Sequence, residues 1–102
     1  MGVAYKRDVN DVRESPALDI LRLLESRGAR ISYNDPHVPE LRMNGETLRS
    51  VELMPAVRDA DVVLILTDHS AYKYPEIVEQ ARLIVDTRNA TRGLASPRIL
   101  KL

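Results

Sequence analysis

The chain has 102 residues, fifteen of them Lys or Arg and fifteen Asp or Glu, so it fits one domain with one core and carries no net field to hold it on nucleic acid or an anionic membrane. Hydrophobic residues at 44% and charged residues at 29% lie well outside the disordered range, and an aliphatic core is expected, because Phe and Trp are absent and Tyr occurs only four times. The absence of Cys excludes disulfides, thiolate zinc sites and a cysteine nucleophile in this chain.

Residues 3 to 5 read as a short first strand, followed by a charged run containing Tyr5, Lys6, Arg7, Asp8, Asp11, Arg13 and Glu14. Ser15-Pro16 then opens a helix, Ser as N-cap and Pro at the first helical position. Ala17, Ile20, Leu21 and Leu24 form its buried stripe, Asp19, Arg22 and Glu25 face away, and Gly28 supplies the stop. Residues 29 to 33 alternate enough for a second strand, which the segment NDPHVPE breaks, since each Pro holds the residue before it extended. Residues 40 to 50 read as a polar loop with a turn signal at Asn44-Gly45, and residues 52 to 60 as a short helix that Pro55 limits to about two turns.

The run DVVLILT, residues 61 to 67, is the clearest strand: continuous, apolar and suited to the centre of a parallel sheet buried on both faces. Its longest unbroken apolar stretch, Val62 to Leu66, is far too short to span a bilayer, and the N-terminus lacks the regions of a signal peptide. A cytoplasmic location is the resulting expectation. Residues 68 to 74 make a loop, 75 to 81 a helix with Ile77 and Val78 inward, and LIVDTR, residues 83 to 88, another buried strand. From Asn89 the tail reads as basic and irregular. Strands alternating with helices in this way predict an α/β fold: a single-domain, doubly wound parallel sheet of Rossmann-like type with a short first strand.

Open parallel sheets bind ligands outside the carboxyl ends of their strands. Here the four runs end in Tyr5-Lys6, Asn34-Asp35, Thr67-Asp68 and Asp86-Thr87-Arg88, so polar groups converge on one edge. Lys6 and Arg88 would place two cations there, and Arg13 precedes a helix N-terminus, a corner suited to phosphate. The competing reading is that these charges are simply solvated. No G-x-G-x-x-G follows the first strand, which argues against a dinucleotide gripped in the usual way. Asp35 is placed to hold a ribose, but an Asp before Pro is more readily a turn opener. His37 and His69 each follow an Asp closely, which admits a two-His, two-carboxylate metal site; solvated loop histidines are the simpler reading, and no metal is assigned. Neither Ser15 nor Ser70 lies in G-x-S-x-G.

The segment GVAYKRDVNDVRESPALDILRLLESRGARISYNDPHVP resembles the start of the C-terminal domain of the UDP-glucose/GDP-mannose dehydrogenase family, the nucleotide-sugar 6-dehydrogenases. The elements G-x-A-Y-K, D-x-R-E-S-P, Y-x-D-P and V-P stand in that family's order and spacing, and LTDHSAYKY and LIVDTRN match its later signatures. YKRDVNDVRESPA and YNDPHVP look most like the UDP-N-acetylglucosamine 6-dehydrogenase branch.

The resemblance implies a nucleotide-sugar-binding domain over residues 1–102, part of an NAD-dependent oxidoreductase of polysaccharide biosynthesis that converts the sugar C6 hydroxyl to a carboxylate. It implies that Tyr5, Lys6 and Arg88 contact the UDP-sugar substrate and that Arg13 leans towards NAD, which is bound chiefly by an N-terminal domain. That domain and the central region with the family's catalytic Cys have no counterpart here. The isolated chain is therefore expected to be inactive, and a domain cut from a longer enzyme, with its first strand trimmed, is the reading that follows. Its partners would be the UDP-sugar and the remaining domains, with a homo-oligomer admitted if a second copy covers the exposed sheet edge. The alternative is a structural or interaction module that keeps the fold without ligand binding.

Overall fold

The computed structural model describes residues 1–3, 16–43 and 45–102. Helix α1, Pro16–Ser26, begins with Pro at its first position and buries Ala17 and Leu21. Its end is a Schellman arrangement. Gly28, at φ 90°, donates to the Glu25 carbonyl at 3.0 Å and Ala29 to that of Leu24 at 3.1 Å. A left-handed residue is required there, and Gly adopts it without steric penalty.

No strand forms over residues 29 to 33, contrary to the alternation in the sequence. Ala29 is used in ending the helix, and among the described residues the backbone bonds lie at the far end of the segment: the Tyr33 carbonyl accepts from Val51 N–H and that of Asn34 from Gly2 N–H, both at 2.9 Å. The region read as a polar loop is instead an antiparallel hairpin of β1, Glu40–Met43, and β2, Glu46–Arg49. Leu41 and Met43 point into the core while Glu40 and Arg42 face out, the two-residue period of a half-buried strand. Gly45 has φ 78°; Asn44 lies outside the described residues. Helix α2, Leu53–Asp59, has two turns, as Pro55 implied, and buries Val57.

Strands β3, Val63–Ile65, and β4, Ile84–Asp86, pair in parallel across helix α3, Tyr74–Gln80. A further strand, β5, Ile99–Lys101, adds to β4 in parallel, where the sequence suggested an irregular tail. Arg98 secures this last crossover. Its guanidinium donates to the carbonyls of Ala81 at 2.9 Å and Val78 at 3.0 Å, satisfying acceptors that the end of α3 leaves open. On the other side of β3, Met1 donates to the Leu64 carbonyl at 2.6 Å and accepts from Leu66 N–H at 2.9 Å. Residues 1–3 thus lie between β3 and the segment ending at Asn34.

Strand β3 separates two apolar clusters. Leu64 and Leu66 pack with α1, through Ala17 and Leu21, and with Val3, Tyr33, Val38 and the hairpin. Val63 and Ile65 pack on the opposite face with Val57 of α2, Ile77 of α3, Ala81 and Ile84. Successive strand residues point to opposite faces, so helices covering both faces require apolar residues at every position of the central strand. The α/β, doubly wound architecture follows directly.

Candidate functional site

Buried polar groups stand at and beyond the carboxyl ends of β3 and β4, namely Thr67, His69, Asp86 and Thr91, and buried Asp35 joins them from the segment after α1. Each is buried, so each must be satisfied by hydrogen bonds or destabilise the fold. Among the described residues, no buried side-chain nitrogen or oxygen lacks a partner.

Asp35 ties three segments together. One carboxylate oxygen, Oδ2, accepts from Val3 N–H and lies beside His69 Nε2, each at 2.8 Å, while Oδ1 accepts from His37 N–H at 2.8 Å. The local bond to residue i+2 is the Asx turn anticipated for Asp before Pro. With Asp35 ionised, its oxygens only accept, so Nε2 is the protonated ring nitrogen. The His37 ring meets His69 edge-on at 4.7 Å between centroids. The two histidines are neighbours, as a metal site would need, but no group of three or more His, Cys, Asp or Glu among the described residues could hold a metal ion. Nearby, the Tyr72 hydroxyl donates to the Asn34 carbonyl at 2.7 Å. Burial, with the Asp35 charge adding to it, pushes the Tyr72 phenol well above its ordinary pKa.

Asp86, the last residue of β4, has a different set of partners. Oδ1 accepts from the N–H groups of Arg88 and Ala90, both at 3.0 Å, and Oδ2 from Thr91 N–H at 2.8 Å and Thr91 Oγ1 at 2.6 Å. Asn89 takes φ 56°, a left-handed conformation that Asn tolerates better than most residues. Burial by itself would raise the Asp86 pKa, but the bonds from Thr91, Ala90 and Arg88 outweigh it and hold the carboxyl below the usual carboxylate range.

Arg88 reaches from this loop to the neighbouring strand end, where its Nε donates to the Leu66 carbonyl at 2.9 Å. The residue is exposed, at the carboxyl edge where the sequence placed it. A groove of about 350 Å³ runs between the loops that follow β3 and β4, with Asp68, Ser70, Tyr74 and Arg92 among its lining.

The family model for the UDP binding domain of UDP-glucose/GDP-mannose dehydrogenases matches residues 1–93. The chain belongs to the UDP-glucose/GDP-mannose dehydrogenase family. It is 38% identical over 97 residues to the UDP-glucose 6-dehydrogenase TuaD of Bacillus subtilis (strain 168), covering 87% of this chain and 21% of that protein. An NDP-N-acetyl-D-galactosaminuronic acid dehydrogenase of Ralstonia solanacearum is 30% identical over 89 residues, with 85% of this chain and 21% of the relative covered. Among solved structures, the UDP-N-acetyl-mannosamine dehydrogenase Cap5O from S. aureus superposes with a TM-score of 0.72 at 32% identity, covering 98% of this chain and 24% of that one. The chain therefore spans about a fifth of the length of these dehydrogenases, and it corresponds to their UDP-binding domain.

Within this dehydrogenase domain, three of the four polar strand ends anticipated from the sequence meet at one edge: Asp35 bonds His69, and Arg88 bonds Leu66 just before Thr67. The fourth, Tyr5-Lys6, lies outside the described residues, as does Arg13. The residues that precede Tyr5-Lys6, 1–3, are fixed by the core. Gly2, at φ 76°, sits so close to residue 67 that an added Cβ would come within 2.5 Å of the Thr67 carbonyl oxygen and 2.7 Å of its Cβ. The first Gly of the G-x-A-Y-K element is thus required by a close approach of two backbones as well as by its conformation. Sequence reasoning missed the roles of Thr91 and His69. The signal for Thr91 was a strand-ending Asp followed by Asn and a hydroxyl residue five positions on, a pattern short enough to arise often without closing a loop. No described helix is long and apolar enough to cross a membrane.

Proposed function

We propose that this domain binds the nucleotide part of a UDP-sugar for an NAD-dependent nucleotide-sugar 6-dehydrogenase, which oxidises the sugar C6 hydroxyl to a carboxylate. In this reading Arg88, which lies at the carboxyl edge of the sheet, contacts the UDP-sugar together with Tyr5 and Lys6, and Arg13 serves the NAD; these last three lie outside the described residues. The observation that carries the reading is Arg88: an exposed guanidinium held at the end of a parallel sheet, where such folds bind ligands.

The remaining chemistry belongs elsewhere in the enzyme. The four glycines, at 2, 28, 45 and 93, form no G-x-G-x-x-G, so the dinucleotide is held chiefly by another domain. NAD accepts the electrons removed from the substrate. Oxidation to the acid through a covalent thioester needs a thiolate, and this chain contains no Cys. The chain by itself therefore binds without turnover, in a cytoplasmic enzyme whose other domains complete the site.

The test is a ¹H–¹⁵N NMR titration of the chain with UDP-N-acetylglucosamine, UDP-glucose, UDP-N-acetylmannosamine, GDP-mannose and NAD. Saturable shifts at Lys6 and Arg88 with a UDP-sugar, abolished by Arg88→Ala, are expected. A spectrum indifferent to every UDP-sugar would overturn the proposal.

A further inference from the structure

We propose that Asp86 and Thr91 form a positioning pair that pre-orders the Arg88 guanidinium for a ligand presenting two acceptor oxygens side by side, as a diphosphate does. This deepens the reading above and rests on it for the claim that Arg88 meets the ligand.

The carboxylate of Asp86 is fully buried, yet its partners are all neutral donors from the five residues that follow it. Such a ring of N–H groups around an anion is a nest closed by the chain's own carboxylate. The Thr91 hydroxyl makes the shortest of the four bonds and closes the loop at its far end. Residue 88 is inside the ring, so closing the loop fixes where its Cα and side chain start.

The side chain is then fixed a second time, because Nε donates to the Leu66 carbonyl on the neighbouring strand. Two restraints, one at the backbone and one at Nε, define the plane of the guanidinium. Its outer edge stays available: among the described residues, none accepts a hydrogen bond from either Nη of Arg88. Guanidinium N–H groups in a fixed fork recognise paired oxygens bidentately, and a fork ordered before the ligand arrives loses less rotamer entropy on binding. An exposed Arg without these ties would lose that freedom on each encounter. A lysine could not substitute, since it has no inner N–H to bond Leu66 while presenting two outer ones.

The experiment reads the ¹⁵N–¹H signal of Arg88 Nε and its exchange with water, together with affinity for UDP, in the wild-type chain and in Thr91→Val and Thr91→Ser. Slow exchange in the wild type, faster exchange and roughly tenfold weaker UDP binding in Thr91→Val, and recovery of both in Thr91→Ser are expected. Unchanged exchange and affinity in Thr91→Val would overturn the inference. Should that variant fail to fold, Arg88→Lys decides, because the residue is exposed: affinity as low as in Arg88→Ala supports the ordered fork, and wild-type affinity overturns it. A wild-type chain that ignores UDP removes the ligand reading of Arg88, while the Nε exchange comparison still tests the positioning by itself.

Discussion

Asp35 and Asp86 are both buried carboxylates, but they solve the same desolvation problem in opposite ways. Among the described residues, the Asp35 carboxylate reaches residues 3, 37 and 69, two of them more than thirty positions away. The four bonds to the Asp86 carboxylate all come from within five positions. Long-range bonds hold separate segments of the sheet edge together and form only when the whole fold does. Local bonds shape a single loop and leave its outer side open to a ligand. The first carboxylate thus joins distant segments and the second orders one loop.

The comparison breaks most visibly at Asp35. Asp35→Ala should destabilise the chain by about 3–5 kcal/mol, since Val3 N–H, His37 N–H and His69 Nε2 lose their shared acceptor at about 1–3 kcal/mol for each donor left buried and unmet, and urea denaturation measures it. A loss no greater than that of Thr91→Val would mean that the two carboxylates do equivalent work. Next comes Gly2→Ala, which tests the segment that Asp35 anchors through Val3. A methyl group facing the Thr67 backbone at 2.5 Å, on a left-handed residue, should cost about 2–3 kcal/mol; a melting temperature equal to the wild type's would show that residues 1–3 move aside freely.

Thr91→Val should cost about 1–2 kcal/mol by leaving one Asp86 acceptor short of a donor. Thermal melts should show this loss while the environments of Tyr72 and His69 stay as they are, because the loop is a local unit. The smallest effect concerns acid. The Asp86 pKa is lowered in the folded state, so its contribution is fully present above the unfolded carboxylate value of about 4 and is lost as pH falls through the lower folded value. Thr91→Val removes one of the bonds that depress it. The variant's stability should accordingly decline less steeply below about pH 4 than that of the wild type, by under ~1 kcal/mol across the window. Parallel acid-denaturation curves would refute the assigned cause of the shift.

Legibility in the sequence tracked the range of the interactions. Helix α1 could be read because Pro16, the Ala17–Leu21 stripe and Gly28 act within a few residues, whereas the Ser15 cap lies outside the described residues, and the core strands could be read because burial on both faces demands unbroken apolar runs. The hairpin was harder: Leu41 and Met43 are the only buried apolar residues of β1, and the signal was lost among charged neighbours. Strand β5 depends on pairing with β4 and on Arg98 reaching the end of α3, neither of which leaves a local pattern. At the site, Arg88 was visible as a cation after a strand. Its bond to Leu66, 22 positions back, was not.

By itself, then, the sequence determined the α/β class, the order of the main helices and strands, the family and the sheet edge at which to look. These depend on periodicity, local caps and motifs with fixed spacing. Only the tertiary structure decided that Asp35 joins His69, that Gly2 lies against Thr67 and that the Arg88 guanidinium is held between two strand ends. Such choices depend on which distant backbone groups become neighbours when two helical layers close on β3, and hydrogen-bond partners across a sheet are set by that packing rather than by the residues beside them in the chain.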